Sequence, residues 1–252
     1  MGVPAAADSC DHVAVPLLDD DALAGSAVVA NSAMNRERGL DGVNSYEREL
    51  GFSPVEVIAA LLRVTGAPDT VAWLDLCCGS GRALVEAAGR LAEQGVADRV
   101  LCEGVDLVDA FVPAPDVPWL RLTAVPVLDW TPSRRYDLIT SVHGLHYVGD
   151  KLGLLARAAG WLTDGGRLVA DLDLAAVRLA DGSPAGRRLA TDLREAGFSY
   201  DGRRRRIGRD DRGDVDLPYE YLGADDRAGP NYTGQDAVHS YYRPRARKPR
   251  PA

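Results

Sequence analysis

The chain has 252 residues, 46% of them apolar, and a formal net charge of −8 at pH 7. That length and apolar share can bury a full core in one large α/β domain, with or without appendages. The acidic balance argues against charge-driven nucleic-acid binding, no apolar run approaches the ~18 residues of a membrane span, and the four cysteines make no disulfide framework or structural zinc set in so long a chain.

The opening, "MGVPAAADSCDHVAVPLLDDD", has no basic stretch ahead of an apolar core, and alanine stands where a myristoylation pattern needs Ser or Thr, so a cytoplasmic protein is expected. "DDDALAGSAVVANSAMNRER" looks helical, with Asp19 to Asp21 suited to its N-terminus. Ser53, Pro54 and Glu56 form an N-cap, N1 and N3 helix start for "SPVEVIAALLRV", which Gly66 and Pro68 stop. From Val71 the pattern alternates. "VAWLDL" has strand length, "RALVEAAGRLAEQG" has helical periodicity, and "RVLCEGVDL", "WLRLTAV" and "YDLITSV" read as further strands. A helix, "DKLGLLARAAGWL", and a fifth strand, "GGRLVADLDL", follow.

Strands alternating with helices predict βαβ units and a doubly wound, mostly parallel α/β sheet. After the helix "AGRRLATDLREAG", short aromatic and β-branched runs between Gly, Asp and Pro turns predict antiparallel hairpins that finish the sheet. Three regions are expected: a helical lid or cap over residues 1–66, an α/β domain over 67–242, and a disordered basic tail over 243–252.

In a doubly wound sheet, ligands sit beyond the carboxyl ends of the strands at the switch point, where "DLCCGSGRAL" falls. Gly79 and Gly81 let backbone approach a ligand, and the helix beginning near Arg82 offers free N–H groups. The third glycine of a dinucleotide fingerprint is missing, and Asp75 before the turn would repel a pyrophosphate. An acid there suits a ligand with a cationic amine. Cys77 and Cys78 read as small residues of a tight turn.

These elements together resemble the class I S-adenosylmethionine-dependent methyltransferases, over about Val71 to Asp173. "LDLCCGSG" is similar to the family's first motif, Asp106 to its ribose acid and Asp129 to its adenine acid, and "YDLITSVHGLHYV" resembles its fourth-strand motif. The resemblance implies a seven-stranded sheet and a cofactor set of Asp75, Cys77, Gly79, Gly81, Asp106, Leu107, Leu128, Asp129, Trp130 and Ser141, with Tyr46 in a lid over it. Glu103 competes with Asp106 but points to the opposite face of its strand. His143 and His146 follow the fourth strand on the side where the methyl group would point and are the candidate bases. Asn44 in the lid, and Asp225, Asn231 and Tyr232 in a loop between the last two strands, are candidate acceptor contacts if the sixth strand runs parallel to the first. The run Arg203 to Arg206 reads as a solvated hairpin strand, and no metal is expected.

The expected activity is methyl transfer to a small-molecule acceptor, as in specialised metabolism, with the assembly state open and a homodimer among the options. An RNA or protein methyltransferase and a cofactor-binding protein with another reaction are the alternatives, and an NAD dehydrogenase is the weakest.

Overall fold

The computed structural model describes residues 16–30, 37–64 and 69–246. Two short helices, α1 (Asp20–Ala24) and α2 (Ala27–Ala30), precede α3 (Tyr46–Leu50) and α4 (Pro54–Arg63). The expected single N-terminal helix is broken. Asp19 caps α1 by accepting from Ala22 N at 2.8 Å, and Gly25 ends it. Ser53 stands in extended backbone before Pro54 but makes no side-chain cap bond. Gly66 and Pro68 lie outside the described residues.

Alternation then proceeds through β1 (Val71–Leu76), α5 (Arg82–Glu93), β2 (Val100–Asp106), β3 (Leu120–Ala124), β4 (Tyr136–Ser141), α6 (Lys151–Trp161) and β5 (Leu162–Asp171). The chain continues with β6 (Val177–Leu179), α7 (Gly186–Glu195), β7 (Ser199–Asp201), β8 (Arg206–Asp210), β9 (Tyr219–Asp225) and β10 (His239–Pro244). The main sheet has seven strands in the order β3-β2-β1-β4-β5-β8-β7. β1 to β5 are parallel, and β8 runs antiparallel to both β5 and β7. Every residue of β1 and β2 is buried, as strands covered on both faces require. Side chains alternate between the two cores: Trp73 packs with Leu84, Cys102 and Leu138 on the α4–α5 side, while Leu74 packs with Ile139, Leu155 and Leu168 on the α6 side.

In the C-terminal third the expected antiparallel hairpin finishes the main sheet, but the last strands do not join it. β7 and β8 complete the main sheet, while β9 and β10 join β6 in a separate three-stranded sheet of order β6-β10-β9. The edge beside β5 is already filled by β8, so the last hairpin has no place there. It packs instead over the strand ends. The run Arg203 to Arg206 is the turn between β7 and β8 and the first residue of β8, not a whole strand. The expected tail is ordered at its start: Arg243 lies in β10 and pairs with Glu220, and Arg245 pairs with Asp216, each at 3.0 Å. Residues 247–252 lie outside the described set. Among the described residues no helix is long and apolar enough to cross a membrane.

Candidate active site

β1 and β4 are neighbours whose crossovers run in opposite directions, so their carboxyl ends open a crevice. A predominantly apolar cleft lies there. Each of the first four strands contributes the residues just past its end: Cys77 and Gly79, Asp106 and Leu107, Leu128 and Asp129, then His143 and Gly144. The N-terminal segment roofs the cleft with Asp20, Leu23 and Ala24 of α1 and Val29 of α2.

The turn after β1 is held open from below. Cys77 and Gly79 adopt positive φ of 58° and 62°, and Gly79 N donates to Asp106 Oδ2 at 2.8 Å. Asp106 Oδ1 accepts from Val108 N at 3.1 Å, which fixes the carboxylate at the cleft wall. Glu103 faces elsewhere and accepts from Tyr136 Oη at 2.7 Å. Acceptors at Asp106 and Asp129, apolar walls from Leu107 and Leu128, and a turn without a side chain at Gly79 suit S-adenosylmethionine, which carries a diol, a purine amine and an amino-acid end.

Several expected cofactor residues stand off the cleft. Asp75 is fully buried, accepting from Tyr46 Oη at 2.6 Å and Thr140 Oγ1 at 2.5 Å. Burial pushes its carboxyl up to about 7, against the pull of those two hydrogen bonds. Tyr46 is committed to the same contact and does not reach the cleft. Gly81 has φ of 69°, and a Cβ there would meet Leu122 Cδ1 at 2.8 Å, so helix–sheet packing excludes a side chain, not a ligand. Trp130 turns into the core, edge-on to Trp161 at 5.6 Å between ring centroids. Ser141 is buried behind the wall, its Oγ without a hydrogen-bond partner.

Among the expected acceptor contacts, Asn44 is exposed and accepts from Arg38 Nη1 at 2.5 Å. Asp225 caps a turn by accepting from Arg227 N at 2.9 Å, and Asn231 does the same for Thr233 N at 2.8 Å. None of the three lines the cleft. Tyr232 alone joins the histidines, its ring 5.4 Å from that of His146 and 6.3 Å from that of His143. The premise for this loop fails, since β9 and β10 are not in the main sheet, yet the loop still folds over the strand ends.

His143 starts the turn after β4 with φ of 57° and is only 4% exposed. Its backbone N–H donates to Asp171 Oδ2 at 3.1 Å, and its Nδ1 stands 3.2 Å from His146 Nε2. Its Nε2 lies 3.4 Å from Glu49 Oε2 and 4.0 Å from Asp171 Oδ2, without a well-formed hydrogen bond to either. His143 holds Glu49 below the usual carboxylate range against its burial, whereas burial raises Asp171 and lowers His146. Arg205 lies 4.0 Å over the Tyr232 ring. Three of the four described non-glycine residues with positive φ, Cys77, His143 and Arg205, therefore converge here. Glu49 and Asp171 were not singled out from sequence, and Arg205 only as part of the run Arg203 to Arg206. Asp171 had a signal, as an acid ending a strand at the ligand face, and Glu49 in a charged helix had none.

A parallel sheet with order 3-2-1-4-5 and acids at successive strand ends around one cleft is the arrangement of a class I methyltransferase fold. The family described as methyltransferase domain matches residues 47–205, and the chain belongs to it. Among curated proteins none matches the sequence. Solved structures similar to it include CalS10, an amino pentose methyltransferase from Micromonospora echinaspora, at 22% identity over 55% of this chain and 52% of that one, with a TM-score of 0.37. The N-methyltransferase NodS from Bradyrhizobium japonicum WM9 is 16% identical over 76% of this chain and 96% of its own, with a TM-score of 0.36. The plantazolicin methyltransferase BpumL matches at 16% identity over 56% of this chain and 51% of its own, with a TM-score of 0.40. The chain thus spans about half the length of CalS10 and BpumL.

Proposed function

We propose that the protein methylates a small-molecule acceptor, in the manner of specialised metabolism, with His143 receiving the acceptor's proton. One observation carries this reading: His143 is 4% exposed at the wall of a roofed cleft, with the Tyr232 ring beside it. A buried base at the wall of a small cleft suits a compact acceptor. S-adenosylmethionine, when bound, supplies a methyl group on a sulfonium. The chain's own task is to align the acceptor, exclude water and accept a proton, and alignment alone can supply up to roughly 7–11 kcal/mol. His146 lies behind His143, and its lowered affinity for protons suits a neutral partner that fixes the His143 ring.

The basic runs do not favour a nucleic-acid acceptor. Arg205 is stacked on Tyr232 and lies 3.7 Å from Asp173, while Arg243 and Arg245 are paired with acids. Replacing His143 by Ala should lower turnover by ~10²–10⁴ with affinity for S-adenosylhomocysteine unchanged. Full turnover in the variant at every pH would remove His143 from the chemistry. Salt-dependent RNA binding would return the acceptor to the macromolecular class.

A further inference from the structure

Glu49, His143 and Asp171 come from three separate elements, α3, the turn after β4 and the end of β5. Their oxygen and nitrogen atoms all lie within 4.8 Å of one another. The two carboxylates repel each other across the gap, and a cationic or proton-bearing group between them relieves that repulsion. The His143 ring is nine-tenths buried and more, and its Nε2 is without a hydrogen-bond partner. Glu49 Oε1, the oxygen turned away from the gap, is engaged by Arg38 at 3.2 Å, so Oε2 is the atom presented. Because His143 also lines the cofactor cleft, the gap adjoins the place where a methyl group is delivered.

We propose that this gap receives the reacting group of the acceptor, and that the group is an amine nitrogen. The proposal rests on the methyl-transfer reading and adds the substrate class to it. One amine nitrogen over this gap can place its two N–H groups at the ~2.7–3.2 Å of a hydrogen bond from two of the three atoms and lie close to the third. The neutral amine enters with its N–H groups toward the gap. Its lone pair forms the N–C bond as the C–S bond breaks, the C–S pair stays on sulfur, and positive charge passes from sulfur to nitrogen. The new ammonium then gives one proton to His143 Nε2. Glu49 and Asp171 stabilise the charge that develops on nitrogen, and they do so strongly because Asp171 is only 5% exposed. The same two negative charges oppose an alkoxide or phenolate, which separates this site from one built for oxygen.

The test uses sinefungin, in which an amine-bearing carbon replaces the methylated sulfur, compared with S-adenosylhomocysteine, which is uncharged there. By calorimetry the parent should prefer sinefungin by about tenfold or more. Glu49→Gln and Asp171→Asn should each cut that preference about fivefold while S-adenosylhomocysteine binding stays within about twofold. Glu49→Gln is the cleaner variant, because Asp171 also holds the His143 backbone N–H. Homocysteine-cofactor binding without a sinefungin preference, or a preference untouched in Glu49→Gln, overturns the amine subsite and leaves methyl transfer standing. Failure to bind S-adenosylhomocysteine at all strikes the methyl-transfer reading itself. A parallel Mn²⁺ titration followed by electron paramagnetic resonance should show no saturable site, and stoichiometric Mn²⁺ lost in Glu49→Gln would reassign the three side chains as metal ligands.

Discussion

Replacing Asp75 by Asn should stabilise the protein, and increasingly so as pH rises from about 3.8 to about 7. In the fold this carboxyl titrates at about 7 against an ordinary value of 3.8, because burial disfavours its charge more than Tyr46 and Thr140 support it. A group that binds its proton more tightly when folded lends stability at low pH, and that stability drains away as pH rises from about 3.8 to about 7. Over that window the loss amounts to about 4 kcal/mol for a fully buried group. An amide keeps the geometry: its oxygen accepts from Tyr46, and its nitrogen can donate to Thr140 Oγ1. Allowing for weaker hydrogen bonds to a neutral acceptor, Asp75→Asn should gain about 2–4 kcal/mol at pH 8, and about 2.7 kcal/mol less than that at pH 5. Urea unfolding at the two pH values, read from midpoints with unchanged slopes, measures this directly. A variant less stable than the parent at pH 8 would refute the reasoning and mean that the folded protein neutralises Asp75 by another route.

The strained turn can be probed in the same way. Cys77→Gly removes the left-handed penalty at φ of 58° and should raise stability by up to about 1 kcal/mol in a thermal melt. Gly144→Ala places a Cβ 2.4 Å from Cys77 Cβ and 3.0 Å from Leu76 O, and should cost about 2–3 kcal/mol, part of which Cys77→Gly restores in the double variant. Lys151 is fully buried and donates to Val148 O, Val238 O and Ser240 Oγ, with burial lowering it to about 7. Its contribution therefore grows as pH rises from about 7 toward 10.5, so Lys151→Met should lose more stability at pH 9.5 than at pH 7 in urea titrations. Asp106→Asn should weaken S-adenosylhomocysteine binding about ten- to a hundredfold by calorimetry, while Glu103→Gln disturbs only the bond from Tyr136.

The main sheet was legible because β1, β2 and β4 are apolar runs of strand length, each followed by a turn and a helix or connection of the expected kind. Strand-end logic also located Asp106, Leu107, Leu128 and Asp129 at the cleft. It failed one residue away in either direction. Asp75 lies inside β1 on the face shared with Trp73, so pleating sends it under Tyr46 rather than past the strand end. Trp130 follows Asp129 by one position and turns inward against Trp161. The grouping of Glu49 with His143 and Asp171 had no local trace. It exists only because a short N-terminal helix folds back across the ends of β4 and β5. The second sheet escaped for a similar reason: the composition of β9 and β10 identifies strands but not which sheet accepts them.

The roof over the cleft is fastened to the far end of the chain. Leu18 exchanges backbone hydrogen bonds with Ala224 at 2.8 and 2.9 Å, and Tyr221 donates to Asp20 across a separation of 201 residues. During synthesis β1 to β4 therefore leave the ribosome well before the strand that anchors their cover exists. Until β9 is made, the cover lacks its backbone bonds to Ala224 and its side-chain bond from Tyr221. A chain ended just before residue 219 would keep every cofactor-facing strand yet hold α1 by no tether to β9, and it should release its nucleoside far faster than the full protein.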